Sequence, residues 1–163
     1  MQKIDLTKSK DVIGAYNSID FSYERKNYTD YGTQYCFNVL DGKIVAGYNI
    51  QLACFRHLRD LQRQGDSDFP YVYSVEAFNR FLKFLSLVPN VDDLSQKLEP
   101  MDWQYFIFAQ LFAWFDLDDV PRFSNIIISI ARSQGKTMIA GICLNFSYLI
   151  EIIGQSSQDF LVS

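Results

Sequence analysis

Apolar residues recur at helical spacing through the middle of the chain. Between about residues 45 and 64 they follow steps of four, four and three, at Ile50, Cys54, Leu58 and Leu61. This spacing predicts a helix with one buried stripe. Two further helices are predicted, from about 74 to 87 and from about 100 to 115, with the stripes Val75, Phe78, Leu82, Leu85 and Trp103, Ile107, Leu111, Trp114. Proline, glycine and aspartate mark the ends of these elements.

The first 30 residues are polar and rich in Lys, Asn, Asp and Tyr. They predict a mobile or loosely docked start, with a weak helix over Asp11–Tyr16.

The pattern changes near residue 123. Phe123–Ile130 is dense in β-branched residues, which is typical of a strand buried on both faces. A polar loop follows, then an apolar helix to Ile153 that we expect to stop at Gly154, and a second strand over Asp159–Ser163. Strand, loop, helix and strand form one βαβ unit, which cannot close a sheet alone.

The predicted fold class is therefore α/β, with a mainly helical N-terminal region, residues 1–97, followed by the first βαβ unit of a P-loop NTPase core, residues 98–163. Because its sheet is incomplete, we expect the chain to be a fragment or a truncated version of a longer protein.

Composition narrows the class of protein. The 163 residues carry a net charge of −4 without a basic stripe, which argues against a free-standing nucleic-acid binder. Three cysteines without a CxxC pair, and a single histidine, predict reduced thiols in a cytosolic protein and no zinc site. The most apolar stretch, Met138–Ile153, is shorter than the roughly 20 residues of a membrane span, so we expect no membrane segment.

Gly135, Lys136 and Thr137 match the end of a phosphate-binding loop. In such a loop, main-chain N–H groups at a helix N-terminus face the phosphates, the lysine carries positive charge to them, and the hydroxyl ligates Mg²⁺. The usual pattern has a glycine where this chain has Ile130, so the match is partial. An ordinary strand-to-helix turn with a surface lysine is the alternative.

A series of sequence blocks resembles the ATPase domain of the large terminase subunit, the DNA-packaging motor of tailed bacteriophages. That family has a phosphate loop without the leading glycine and with an early basic residue, similar to Ala131–Thr137. Its upstream glutamine and aromatic block resemble Leu98–Gln104 and Leu111–Trp114, and its N-terminal helices resemble Asn38–Ile44 and Leu52–Leu61. The resemblance covers roughly residues 35–163.

The resemblance implies an ATP-driven motor that packages double-stranded DNA in the bacterial cytoplasm, with the portal protein and the small terminase subunit as partners. It implies that Lys136 and Arg132 act on the γ-phosphate, that Thr137 ligates Mg²⁺ and that Gln104 contacts adenine. The implied nucleotide-contacting residues are Gln104, Ala131, Arg132, Ser133, Gln134, Gly135, Lys136 and Thr137. Arg122 lies where the family often has an arginine, without an assigned role.

The chain departs from the family in its acidic residues. The apolar run ending in Asp-Glu, which would ligate Mg²⁺ and orient water, is absent, as is the nuclease carboxylate cluster. The acidic pairs Asp92–Asp93 and Asp118–Asp119 are predicted to lie in loops. We therefore expect nucleotide binding without competent hydrolysis in this chain.

Two other functions stay open: a different P-loop enzyme, such as a helicase-like ATPase, and a short helical interaction or regulatory protein with a vestigial loop. The alternative for Gln104 is a polar residue on a helix face, and the alternative for Arg132 is a solvated loop arginine. His57 is predicted to be a half-exposed helix residue, and Trp103 and Trp114 to belong to the core. Uncovered apolar surface predicts self-association.

Overall fold

The computed structural model describes residues 6, 10–90 and 93–159. This part of the chain is mostly helical, with one small two-stranded antiparallel sheet. The elements are α1 (Val12–Asn17), α2 (Ser22–Asn27), α3 (Tyr31–Leu40), α4 (Tyr48–Arg63), β1 (Tyr71–Tyr73), α5 (Val75–Leu85), α6 (Asp102–Phe112), β2 (Trp114–Asp116) and α7 (Lys136–Asp159).

The chain forms two compact units. Unit 1 comprises Met1–Asn79 and Pro100–Ser124, and unit 2 comprises Arg80–Glu99 and Asn125–Ser163. This division differs from the predicted single boundary between residues 97 and 98. The cause is non-local packing, since α6 lies against α3 and β2 pairs with β1.

Unit 1 is organised around α3, which packs against both α4 and α6. The Asp30 carboxylate caps α3 by accepting the N–H of Thr33 at 2.9 Å. Gly32 lets α3 approach α6 closely, because a side chain there would collide with Ala109. In the sheet, Tyr71 lies opposite Asp116 and Tyr73 opposite Trp114.

Residues 12–27 are docked through buried side chains, contrary to the predicted loose start, while residues 1–5 and 7–9 lie outside the described residues. The predicted weak helix exists as α1, whose N-terminus is capped by Asp11. Val12, Tyr16 and Phe21 are buried, and the Phe21 ring contacts Phe55 of α4 edge-on. The prediction rested on the local excess of polar residues, whereas a few well-spaced apolar side chains are enough to attach short helices.

Unit 2 is built on α7. Ile139, Ile142 and Phe146 are buried, and the Phe146 ring packs against Phe81 and Phe84 at centroid distances of 5.0 and 5.3 Å. The predicted helix stop at Gly154 is wrong, because α7 continues to Asp159. A single glycine costs a helix only about 1 kcal/mol relative to alanine, which the flanking turns offset.

The predicted βαβ unit is not formed in the described residues. Phe123–Ile130 is neither strand nor helix, and none of its side chains is fully buried. A strand needs a hydrogen-bonding neighbour, and this segment pairs with none in the part of the chain that is described. Asp159 ends α7 rather than beginning the predicted second strand, and residues 160–163 lie outside the described residues. None of the described helices is both long and apolar enough for a transmembrane span.

Candidate functional site

The predicted phosphate loop lies directly before the longest helix of the described chain. Arg132 and Ser133 form a turn, and Lys136 is the first residue of α7. Ser133 and Gly135 both adopt left-handed backbone conformations, with φ of 61° and 75°. A non-glycine residue seldom adopts this conformation, so the loop is held in an uncommon shape at Ser133.

The Lys136 side chain folds back over the loop. Its Nζ donates to the carbonyl oxygen of Ile130 at 2.9 Å, which joins the two ends of the segment 130–136. The Ile139 N–H donates to the Gly135 carbonyl at 2.9 Å, the first bond of α7. The hydrogen bond to Ile130 thus holds the ammonium group of Lys136 beside the turn that precedes α7.

The electrostatics of this loop favour an anion. The main-chain N–H groups of Lys136, Thr137 and Met138 lie in the first turn of α7, before the N–H of Ile139 that makes the first helical hydrogen bond. None of the three has an acceptor within the described chain. The first turn of α7 carries no acidic residue, and Arg132 adds an exposed positive charge. Helix N-termini with such free N–H groups attract phosphate oxygens.

The loop offers fewer groups that could bind Mg²⁺ than groups that could bind an anion. The Thr137 hydroxyl lies on an exposed position of the first turn, as a metal ligand of this kind requires. Among the described residues, however, no group of three His, Cys, Asp or Glu side chains lies close enough to hold a metal ion. Thr137 would therefore hold Mg²⁺ chiefly together with the phosphates.

Three of the four candidate acidic residues, Asp93, Asp118 and Asp119, lie in loops, as predicted. Asp93 accepts hydrogen bonds from Ser95 and Gln96 in an exposed turn. Asp118 and Asp119 belong to the exposed turn after β2. Asp92 lies outside the described residues.

Gln104 belongs to unit 1, at the start of α6. Its side chain is buried, and its Oε1 accepts the N–H of Met101 at 2.9 Å, which completes a cap of the helix. The other implied nucleotide contacts, residues 131–137, belong to unit 2. The loop residues are therefore brought together, while Gln104 has a structural role of its own in unit 1.

Arg122 has a clear structural role. Its guanidinium donates to the buried carboxylate of Asp60 at 2.8 Å. Four aromatic rings surround the cation at 4.9 to 5.2 Å from their centroids, those of Phe69, Tyr71, Trp114 and Phe123. This pairing fastens the segment after β2 to α4.

The largest departure from the sequence prediction is His57, which is fully buried in unit 1. Its Nδ1 lies 2.9 Å from the amide nitrogen of Gln110, and its Nε2 lies 3.0 Å from the hydroxyl of Thr33. Because an amide nitrogen donates, Nδ1 accepts and Nε2 carries the proton that Thr33 accepts. The rings of Tyr73, Phe106 and Trp114 pack edge-on around the imidazole.

The surroundings of His57 keep it neutral. Burial, together with the smaller effect of the positive charges of Arg122 and Arg56, lowers the pKa of His57 from 6.5 to about 3. The prediction of a half-exposed residue followed from its place between Arg56 and Leu58 on the helix. Cys54 and Leu61 of the predicted stripe lie three before and four after His57, which puts it at the edge of the buried face.

Phe69 and Tyr73 extend this aromatic cluster toward the sheet. The Tyr73 hydroxyl donates to Asp30 at 2.9 Å, which links β1 to the N-terminal cap of α3. The aromatic rings around His57, the N-terminal cap of α3 and the Asp60–Arg122 pair together form the polar and aromatic centre of unit 1. Trp114 is buried in it, as the sequence predicts, whereas Trp103 is half-buried.

The comparisons leave the family open. Searches against protein-family models, curated proteins and solved structures found no match to this chain.

Proposed function

We propose that residues 130–137 bind the phosphates of ATP and that the chain is the N-terminal part of a DNA-packaging motor subunit of the large terminase type. The observation that carries the proposal is the shape of the loop. Ser133 and Gly135 turn the backbone through left-handed conformations, and Lys136 reaches back to Ile130 at the start of a long helix.

This shape suits phosphate recognition for a physical reason. A loop that turns back on itself before a helix aims successive N–H groups at one point, where the helix dipole is positive. The Nζ of Lys136 donates an exposed hydrogen bond to the carbonyl oxygen of Ile130. To contact a β- or γ-phosphate, it has to break only this hydrogen bond. Exchanging a neutral acceptor for an ionised one strengthens that bond.

The order of the sequence blocks supports the motor rather than an arbitrary nucleotide binder. A loop with its basic residue at Arg132 follows an aromatic block and an upstream glutamine, in the order of the terminase family.

In this proposal Arg132 contacts the γ-phosphate and Thr137 ligates Mg²⁺. Adenine contact by Gln104 would compete with its bond to Met101. Double-stranded DNA, the portal and the small terminase subunit are the partners that the proposal implies.

Binding is expected without turnover. Bound Mg²⁺ would screen the phosphate charge, but the sequence offers no acidic residue at the end of an apolar strand to complete its ligands or orient water. Steady-state phosphate release should therefore match buffer alone. Turnover that is lost in Lys136→Ala would contradict this part of the proposal.

Calorimetric titration with Mg²⁺-ATP tests the loop. Wild-type chain should bind, and Lys136→Ala should weaken binding by at least tenfold because one charge-assisted bond to phosphate is lost. Lys83→Ala removes an equal charge from an exposed position on α5 and should bind as the wild type does.

Two results would contradict the proposal: no binding by the wild-type chain, or equal weakening by both substitutions. The first would favour the helical interaction protein with a vestigial loop. The second would indicate attraction by charge alone.

A further inference from the structure

The loop before α7 is exposed. Arg132, Lys136 and Thr137 all lie at exposed positions, and two clefts of the described chain are lined by other residues, within 13–51 and 90–99. A small molecule in a typical pocket has most of its surface enclosed by protein. A ligand held by this loop instead keeps much of its surface in solvent, so the groups that contact the loop decide its affinity.

The main ligand-binding groups of the loop are hydrogen-bond donors. The main-chain N–H groups of Lys136, Thr137 and Met138 have no acceptor within the described chain, and the side chains of Lys136 and Arg132 are positively charged. Ammonium and guanidinium groups donate hydrogen bonds and accept none. The oxygens of an ionised phosphate accept, whereas a nucleobase presents donors and acceptors side by side. The loop therefore matches the phosphates of a nucleotide rather than its base.

The aromatic rings nearest to the loop in sequence have other contacts. No aromatic residue lies between Phe123 and Phe146. The buried Phe146 ring packs against Phe81 and Phe84, and the Phe123 ring faces the guanidinium of Arg122. Proteins that bind bases without a deep pocket stack them on exposed aromatic side chains. The chain segment that forms the loop offers no such ring to a base.

Gln104, the adenine contact that the family resemblance implies, is held by the fold of unit 1. Its side chain is 3% exposed, and its Oε1 accepts the N–H of Met101 at 2.9 Å. A hydrogen bond to adenine in place of this one would leave the Met101 N–H without its acceptor. Because one hydrogen bond would replace another, the exchange gives adenine no clear advantage over another base.

We infer that the loop recognises the phosphate chain alone, so that its ligand class is any nucleoside triphosphate or inorganic tripolyphosphate rather than ATP in particular. This inference rests on the proposed phosphate site and specifies its ligand. The base and the ribose stay in solvent. Affinity follows the number of phosphates, because each phosphate brings further acceptors and negative charge to the same donors.

Calorimetric titration of the full wild-type chain in the presence of Mg²⁺ tests the inference. ATP and GTP should bind within about threefold of each other, and tripolyphosphate at least as tightly as ATP, since all three present the same phosphate chain. AMP is the matched control, because it keeps adenine and ribose but lacks two phosphates. It should bind at least about tenfold more weakly than ATP.

Hydrogen exchange shows whether the three ligands use the same loop. GTP and tripolyphosphate should slow the exchange of the amides from Ser133 to Met138 as ATP does, and Lys136→Ala should weaken the binding of all three by a similar factor. A preference for ATP over GTP or tripolyphosphate of more than about tenfold, or AMP binding as tight as ATP binding, would overturn the inference but not the binding of ATP. No binding of any of these ligands would overturn the proposed function, and the inference with it.

Discussion

The two units bury apolar surface in different ways. Unit 1 encloses an aromatic cluster around His57, and His57 is hydrogen-bonded to residues from distant parts of the chain, Thr33 and Gln110. Unit 2 buries a group of rings around Phe146 among its described residues and leaves Ile127 and Leu144 in solvent. The first arrangement fixes one core, whereas the second leaves apolar surface for a partner.

The difference also separates structural chemistry from candidate functional chemistry. The strongest electrostatic features of unit 1, the Asp60–Arg122 pair and neutral His57, are enclosed by the core. The positive groups of the loop before α7 in unit 2, Arg132 and Lys136, are exposed next to free N–H groups of α7. Enclosed groups hold the fold together, and exposed groups of one sign remain available to a ligand.

The largest expected effect comes from truncating a ring in each unit. Trp114→Ala should lower the free energy of unfolding of unit 1 by about 3–5 kcal/mol, because Trp114 is fully buried against His57 and Tyr73. Phe146→Ala should lower the free energy of unfolding of unit 2 by a smaller amount, about 3 kcal/mol, because its ring is smaller than the indole of Trp114 and buries less apolar surface.

Native-state hydrogen exchange measures the two costs separately, which a single melting curve of two units does not. Each variant is the control for the other. Equal losses, or loss of protection in unit 2 upon Trp114→Ala, would show that the two units do not differ as described.

The next effect depends on pH. The pKa of His57 is lowered from 6.5 to about 3 in the folded chain, so its contribution to stability is complete above pH 6.5 and is lost as pH falls toward 3. By pH 4 this histidine alone should reduce the free energy of unfolding of unit 1 by about 3 kcal/mol.

Urea titrations of wild type and His57→Gln between pH 7 and pH 4 isolate this effect from that of the carboxylates. The variant should be less stable at pH 7 but lose less stability on acidification, by about one bound proton. Parallel pH profiles for the two proteins would mean that His57 is not the buried neutral group described here.

A smaller effect distinguishes enclosed from exposed ion pairs within unit 1. Asp60→Asn should cost about 2–3 kcal/mol, because it leaves the Arg122 cation without its buried partner. Asp41→Asn removes the more exposed partner of Arg25 and should cost at most about 1 kcal/mol. Urea unfolding at pH 7 compares the two, and the reverse order would contradict the assigned enclosure of Arg122.

Local patterns predicted much of the helical structure. The stripe through Cys54, Leu58 and Leu61 gave α4, and similar spacing gave α5 and α6. The same reasoning missed α2 and α3, because their polar surroundings hide a few buried residues such as Phe21 and Phe37. It also missed the enclosure of His57, which depends on side chains from α3, α6 and both strands that spacing along α4 does not reveal.

The candidate site shows a similar limit. Residues 131–135 precede a helix that begins at Lys136, as predicted, because a glycine-containing turn and a following apolar period are local signals. Composition alone does not reveal whether Phe123–Ile130 forms a strand, since β-branched residues form a strand only where a neighbouring strand supplies hydrogen bonds. Gln104 and Arg122 have partners, Met101 and Asp60, that no motif indicates.

The most direct test of the proposed phosphate loop is hydrogen exchange of the full chain with and without Mg²⁺-ATP. The account predicts slower exchange of the amides from Ser133 to Met138 on addition of nucleotide, with unit 1 peptides away from Gln104 unchanged and no effect in Lys136→Ala. Unchanged exchange across this loop at a saturating nucleotide concentration, or equal slowing in Lys136→Ala, would contradict it.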